Sequence, residues 1–218
     1  GESLYNEMSY LMRNLFSHYL KDKDDTLMSD APDWLRTGLG GYLAGTFLKG
    51  RKVVFKPTVN ERIAIAKMIQ KGGFKKGKLK TVRELMNMTD KEQRELSKKE
   101  GEPNYQLAHL VRYLEGAGRK HKLFGGKDFL IQYCRAANTV DDEYDEQNPR
   151  KSSGYREADT EEEEEEQAAE REKRWKEMRE GASQAELAKL KRLNDKMCNW
   201  SDEEWASLQK AYARTCKK

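Results

Sequence analysis

Apolar residues recur at helical spacing through most of the chain. Over residues 4–20, Leu4, Met8, Leu11, Met12, Leu15, Phe16 and Tyr19 share one face, and Asn6, Tyr10, Arg13, Asn14 and Ser17 lie opposite, which predicts an amphipathic helix. A polar loop, Lys21-Asp22-Lys23-Asp24-Asp25, follows. Ser29 or Asp30, with Pro32 tolerated in the first turn, opens a second helix predicted to run to about Leu48. Its glycines, Gly38, Gly40, Gly41 and Gly45, lower helix propensity, so a close helix–helix approach is expected there, with the first helix as partner. Residues 49–55 read as a short strand or an extended loop. A third helix, from Asn60, carries Ile63, Ile65, Ala66 and Ile69 and stops at Gly72-Gly73. Thr81-Val82-Arg83-Glu84 is a capping box that opens a short helix with Leu85 and Met88, and Thr89-Asp90-Lys91-Glu92 repeats the signal. Pro103-Asn104 begins a helix with Leu107, Leu110, Val111 and Leu114, stopped by Gly116 and Gly118. Residues 127–138, with Phe129, Leu130, Tyr133 and Cys134, supply the last helix of the expected core.

The pattern then changes. Residues 141–154 are acidic, then Pro- and Ser-containing, and read as a linker. Glu161 to Glu166 is an unbroken acidic run, followed by Glu170 with Arg174 and Glu172 with Lys176, i,i+4 pairs in the favourable order. Trp175 and Met178 are nearly the only apolar residues of this segment, so it is expected to be a solvated helix or disordered. Leu187, Leu190, Leu193 and Met197 mark another helix over residues 183–198. Ser201-Asp202-Glu203-Glu204 caps a last one with Trp205, Leu208, Ala211 and Tyr212. The expectation is a mainly α-helical chain: a core over residues 1–140, an acidic linker and exposed helix over 141–180, and a helical hairpin over 181–218 that docks on the core.

Composition sharpens this. Charged residues (37%) match apolar ones (36%), so part of the chain is expected to be solvated helix or extended. No apolar run reaches the length of a membrane span, and no secretory leader pattern opens the sequence. Cys134, Cys198 and Cys216, like His18, His109 and His121, are too scattered for a disulfide framework or a zinc cluster.

Two stretches carry candidate chemistry. Asn6-Glu7-Met8-Ser9-Tyr10 has the frame of H-E-x-x-H, in which two His one helical turn apart hold zinc and the Glu acts as general base. Trp34-Leu35-Arg36-Thr37-Gly38-Leu39-Gly40-Gly41-Tyr42 has the frame of Trp-Leu-x-Glu-Gly-x-Ala-x-Tyr. Together, and with Tyr105 to Leu114 further on, the chain resembles the gluzincin metallopeptidases, in particular the bacterial peptidase-MA-like families, over about residues 3–137. The resemblance implies that the core is the helical part of such a peptidase. It also implies a sheet ahead of the first helix, so the chain is expected to belong to a longer protein. The family's zinc ligands would fall on Asn6, Tyr10 and Thr37, and its general base on Glu7. An amide, a phenol and a hydroxyl are poor zinc ligands, and without metal Glu7 has no activated water to deprotonate. The expectation is a catalytically inactive scaffold without cofactor, acting through a protein partner or as part of a larger structure.

Two alternatives remain open. One is a nucleic-acid-associated module. Between Lys49 and Arg83 the chain is strongly basic, with Glu61 the only acid, and Lys75, Lys76, Lys78 and Lys80 could meet phosphates. Trp200-Ser201-Asp202-Glu203-Glu204 resembles the opening of Myb/SANT repeats. Against it, Phe55 and Phe74 are the only aromatic residues there for base stacking, and the lysines read equally well as a solvated loop. The other is a zinc peptidase with unrecognised ligands around Glu7.

Overall fold

A computed structural model describes residues 31–49, 52–100, 103–124, 129–148 and 161–217. The helix predicted over residues 4–20 lies outside the described residues. Helix α1 (Asp33–Ala44) starts after Pro32, whose φ of −56° suits a helix entry and whose missing N–H leaves no donor unpaired. The Asp33 carboxylate, at the positive end of the helix, pairs with Arg36 at 3.0 Å. Contrary to expectation, α1 stops before Leu48. At Gly45 the chain passes so close to the Lys56 carbonyl that a Cβ would lie 2.0 Å from its oxygen. An antiparallel hairpin follows, β1 (Thr46–Lys49) and β2 (Lys52–Phe55), with Thr46 opposite Phe55 and Lys49 opposite Lys52. Its aromatic and β-branched residues prefer a strand over a further helical turn.

Thr58 rather than Asn60 caps α2 (Val59–Gln70), its hydroxyl accepting from the Glu61 N–H at 3.1 Å. Gly72 and Gly77, with φ of +115° and +65°, flank a single 3-10 turn (Gly73–Lys76) in backbone conformations that other residues adopt only with strain. Both predicted capping boxes form. Thr81 and Glu84 open α3 (Val82–Met86), and Thr89 and Glu92 open α4 (Asp90–Glu100). Then come α5 (Pro103–Glu115), two further 3-10 turns, α6 (Phe129–Gln147), α7 (Glu161–Met197) and α8 (Asp202–Cys216).

Helices α1 and α5 form the centre of the fold. Trp34 and Leu35 of α1 and Leu107, Leu110 and Val111 of α5 are fully buried. Gly38 lets the two approach: a Cβ there would lie 2.7 Å from Val111 Cγ2 and 2.8 Å from the Leu107 carbonyl oxygen. A close helix–helix approach is thus found at Gly38, with α5 as the partner; the expected partner, residues 4–20, lies outside the described residues. Helix α8 packs on α3 and α5 with Trp205, Leu208, Tyr212 and Cys216 inward, one apolar stripe at helical spacing. Gln209 fastens it by accepting the Val82 N–H at 2.8 Å.

Two composition-based expectations are corrected. Residues 141–147 do not begin a linker; they are the last turns of α6. Asp141 and Asp145 there hold Lys189 of α7, and Tyr144 lies under Lys189 and Arg192. Their acidity thus serves a helix–helix contact. Nor is residue 183 a helix start. Helix α7 runs unbroken through Gly181, about 55 Å at 1.5 Å per residue. The C-terminal helices do dock on the core: Leu193, Cys198, Trp205, Leu208 and Tyr212 share one apolar cluster with Trp34, Met86 and Tyr133. Asn194, buried, joins three helices. It accepts from the Tyr133 hydroxyl at 2.6 Å and donates to the Met86 carbonyl at 3.2 Å. No described helix is long and apolar enough to cross a membrane.

Candidate functional site

Of the residues expected at a degenerate zinc site, Asn6, Glu7 and Tyr10 lie outside the described residues. Thr37 is half-buried on α1. Its hydroxyl accepts a hydrogen bond from Gln93 Nε2 of α4 at 2.9 Å, and the same amide lies 3.5 Å from Asn104 Oδ1 at the start of α5. Trp34, Leu35 and Gly38 are all spent on packing, which leaves Thr37 the one side chain of this turn engaged in a neutral polar contact with α4. One turn earlier, Asp33 faces Asp90. Burial first, then the neighbouring Asp90 carboxyl, pushes the Asp33 carboxyl up to about 6, with Arg36 pulling the other way. Asp90 is held below its ordinary value: burial opposes this, but hydrogen bonds from Asp33 and Arg94 outweigh it. These two carboxyls share a cleft of about 440 Å³ with Arg36, Glu186 and Lys189.

The four lysines do not form one uniform surface. Lys75 and Lys76 are exposed on the 3-10 turn, whereas Lys78 and Lys80 are half-buried. The Lys80 backbone is locked on both sides by the Gln106 amide, at 3.0 and 2.7 Å, and its ammonium lies 3.6 Å from Glu84.

The strongest assembly of charge lies elsewhere. Glu61, with no exposed surface, points into the protein between α2 and α5. Arg112 grips it with two parallel hydrogen bonds, Nε at 3.2 Å and Nη2 at 2.9 Å, and the guanidinium lies 5.1 Å from the centre of the Tyr42 ring. His109 Nδ1 lies 3.4 Å from the same carboxylate, and its Nε2 lies 3.3 Å from the Thr215 hydroxyl, which donates to the Tyr212 carbonyl at 2.7 Å. Burial alone would raise the Glu61 carboxyl; the hydrogen bonds from His109 and Arg112 win and hold it below its ordinary value. Glu61, His109 and Thr215 line a cleft of about 650 Å³ between α2 and the end of α8, walled by Ile65, Ala66 and Ile69 and rimmed by Arg62 and Lys217. Cys216 also lines it, but burial pushes its thiol up to about 11, so it carries almost no thiolate at neutral pH. With Glu61 held by Arg112 and His109, the cleft offers apolar surface and a cationic edge.

Sequence reading starts this helix at Asn60 and takes Glu61 only as the lone acid of a basic stretch, although Thr58-Val59-Asn60-Glu61 has the residues of a capping box. Only half the box forms, and Arg112 takes the carboxylate instead. A signal was present: His109 and Arg112, three apart, break the apolar pattern of α5 on one face, and Glu61 is the lone acid in a basic stretch. Compared with family models, curated proteins and solved structures, the chain has no match.

Proposed function

We propose that this chain is a catalytically inactive helical scaffold of gluzincin type that works by binding a protein partner or as a structural part of a larger protein. One observation carries the reading. Thr37, where the resemblance expects an acidic zinc ligand, bears a hydroxyl already engaged by the Gln93 amide. It is supported by the direct packing of α1 on α5, the two described helices that bear the resemblance. The test is metal content of the purified chain by mass spectrometry, a zinc titration and an assay on generic peptides. No stoichiometric zinc and no hydrolysis are expected. One tightly bound zinc per chain, with hydrolysis abolished by Glu7→Gln, would overturn the reading. The exposed Lys75 and Lys76 favour nucleic-acid association as the second reading. Steeply salt-dependent binding to duplex or single strands would support it, and binding insensitive to Lys75→Glu with Lys76→Glu would exclude it.

A further inference from the structure

Helix α2 is apolar on more sides than a surface helix needs. Ala64, Ile65 and Met68 face the core, Ile69 lines the cleft, and Val59 and Ile63 stand on the outer side, 61% and 48% exposed. Of the five large apolar side chains left exposed among the described residues, three (Phe55, Val59 and Ile63) fall in this one short stretch. A helix with so wide an apolar arc is expected to be covered on both sides. The charges beside it have one sign. Arg62, Lys67 and Lys217 are exposed, and the single acid, Glu61, is buried against Arg112. Glu61, His109 and Thr215, which line the cleft, are already engaged, Glu61 by Arg112 and His109, and His109 by Thr215, while Arg112 Nη1 is buried without a partner among the described residues.

We infer that the outer face of α2 and the cleft beside it form a docking surface for an acidic amphipathic helix of another protein. Its apolar residues would enter between Ile63, Ala66 and Ile69, and its Asp or Glu side chains would meet Arg62, Lys67 and Lys217. This rests on the binding role proposed above and names the surface and partner chemistry for it; it does not depend on the peptidase resemblance, which the zinc experiment tests separately.

The test uses the full chain and a fluorescently labelled helical peptide with Leu on one face and Glu on the other, read by anisotropy at low salt. A matched peptide with Lys in place of Glu is the control. Saturable one-to-one binding of the Glu peptide is expected, with little binding of the Lys peptide. Ile63→Glu and Arg62→Glu should each weaken it roughly tenfold while leaving Tm unchanged. Failure of the Glu peptide to bind, or equal binding of both peptides, overturns the proposal. A large fall in Tm with Ile63→Glu also overturns it, because the face would then be covered within the chain. So would a dimer in sedimentation that Ile63→Glu dissociates, or binding to phosphatidylserine vesicles that Ile63→Glu abolishes; these assign the face to a second copy or to a membrane.

Discussion

Glu61 shows how far a single residue's role can depart from its local signal. By position it belongs at a helix N-terminus, where its N–H does bond Thr58, yet its carboxylate is drawn inward by Arg112. Removing one partner of a buried pair leaves the other desolvated and unpaired. Glu61→Gln is therefore expected to destabilise the fold by about 3–5 kcal/mol, measured by urea denaturation. Because its folded carboxyl titrates below the ordinary 4.5, the stability it provides is complete above that value and is lost as pH falls through the folded one. Asp33 behaves oppositely. It keeps its proton up to about 6 in the folded chain but would lose it near 3.8 when unfolded. Between these values the folded state binds the extra proton, so this group makes stability fall as pH rises from about 4 to about 6. Asp33→Asn should flatten that decline in a series of thermal melts; an unchanged slope would show that the Asp33–Asp90 pair does not set it.

At the scale of elements, the caps were legible because each is a local hydrogen-bond problem solved within four residues. Thr81 with Glu84, Thr89 with Glu92 and Ser201 with Glu204 all form as read. Element ends set by contacts were not legible. The close passage of Lys56 at Gly45 ends α1, and the salt bridges of Asp141 and Asp145 to Lys189 accompany the extension of α6 through residues whose composition reads as a linker. Gly181 is the one glycine inside α7, and a Cβ there would meet nothing within 4 Å. Gly181→Ala is expected to raise stability by up to about 1 kcal/mol, read as an increase in Tm and in helical circular dichroism. A decrease would mean that α7 needs a break at that point.

For the whole molecule, the apolar core does not respect the expected boundary between an N-terminal core and a C-terminal hairpin. Leu193, Cys198, Trp205, Leu208 and Tyr212 belong to the same cluster as Trp34, Leu85 and Tyr133. Tyr212 alone meets Phe74, His109 and Tyr113. Deleting residues 199–218 strips Trp205, Leu208 and Tyr212 from the core and bares Val82 and Leu85. The shortened chain is expected to lose its cooperative unfolding transition and to bind a hydrophobic dye. A sharp melt in the shortened chain would instead show that the first unit folds alone.

The amino-acid sequence by itself determined the helical class, the capped helix starts and the apolar stripes of α5 and α8. These depend on propensity, capping and periodicity, all of which act over a few residues. Tertiary structure alone decided which stripes meet, where Gly38 meets α5, and that Glu61, held by Arg112, gathers with His109 and Thr215 at one cleft. Those outcomes depend on contacts between residues about 50 to 150 positions apart, whose attraction appears only once the chain has folded them together.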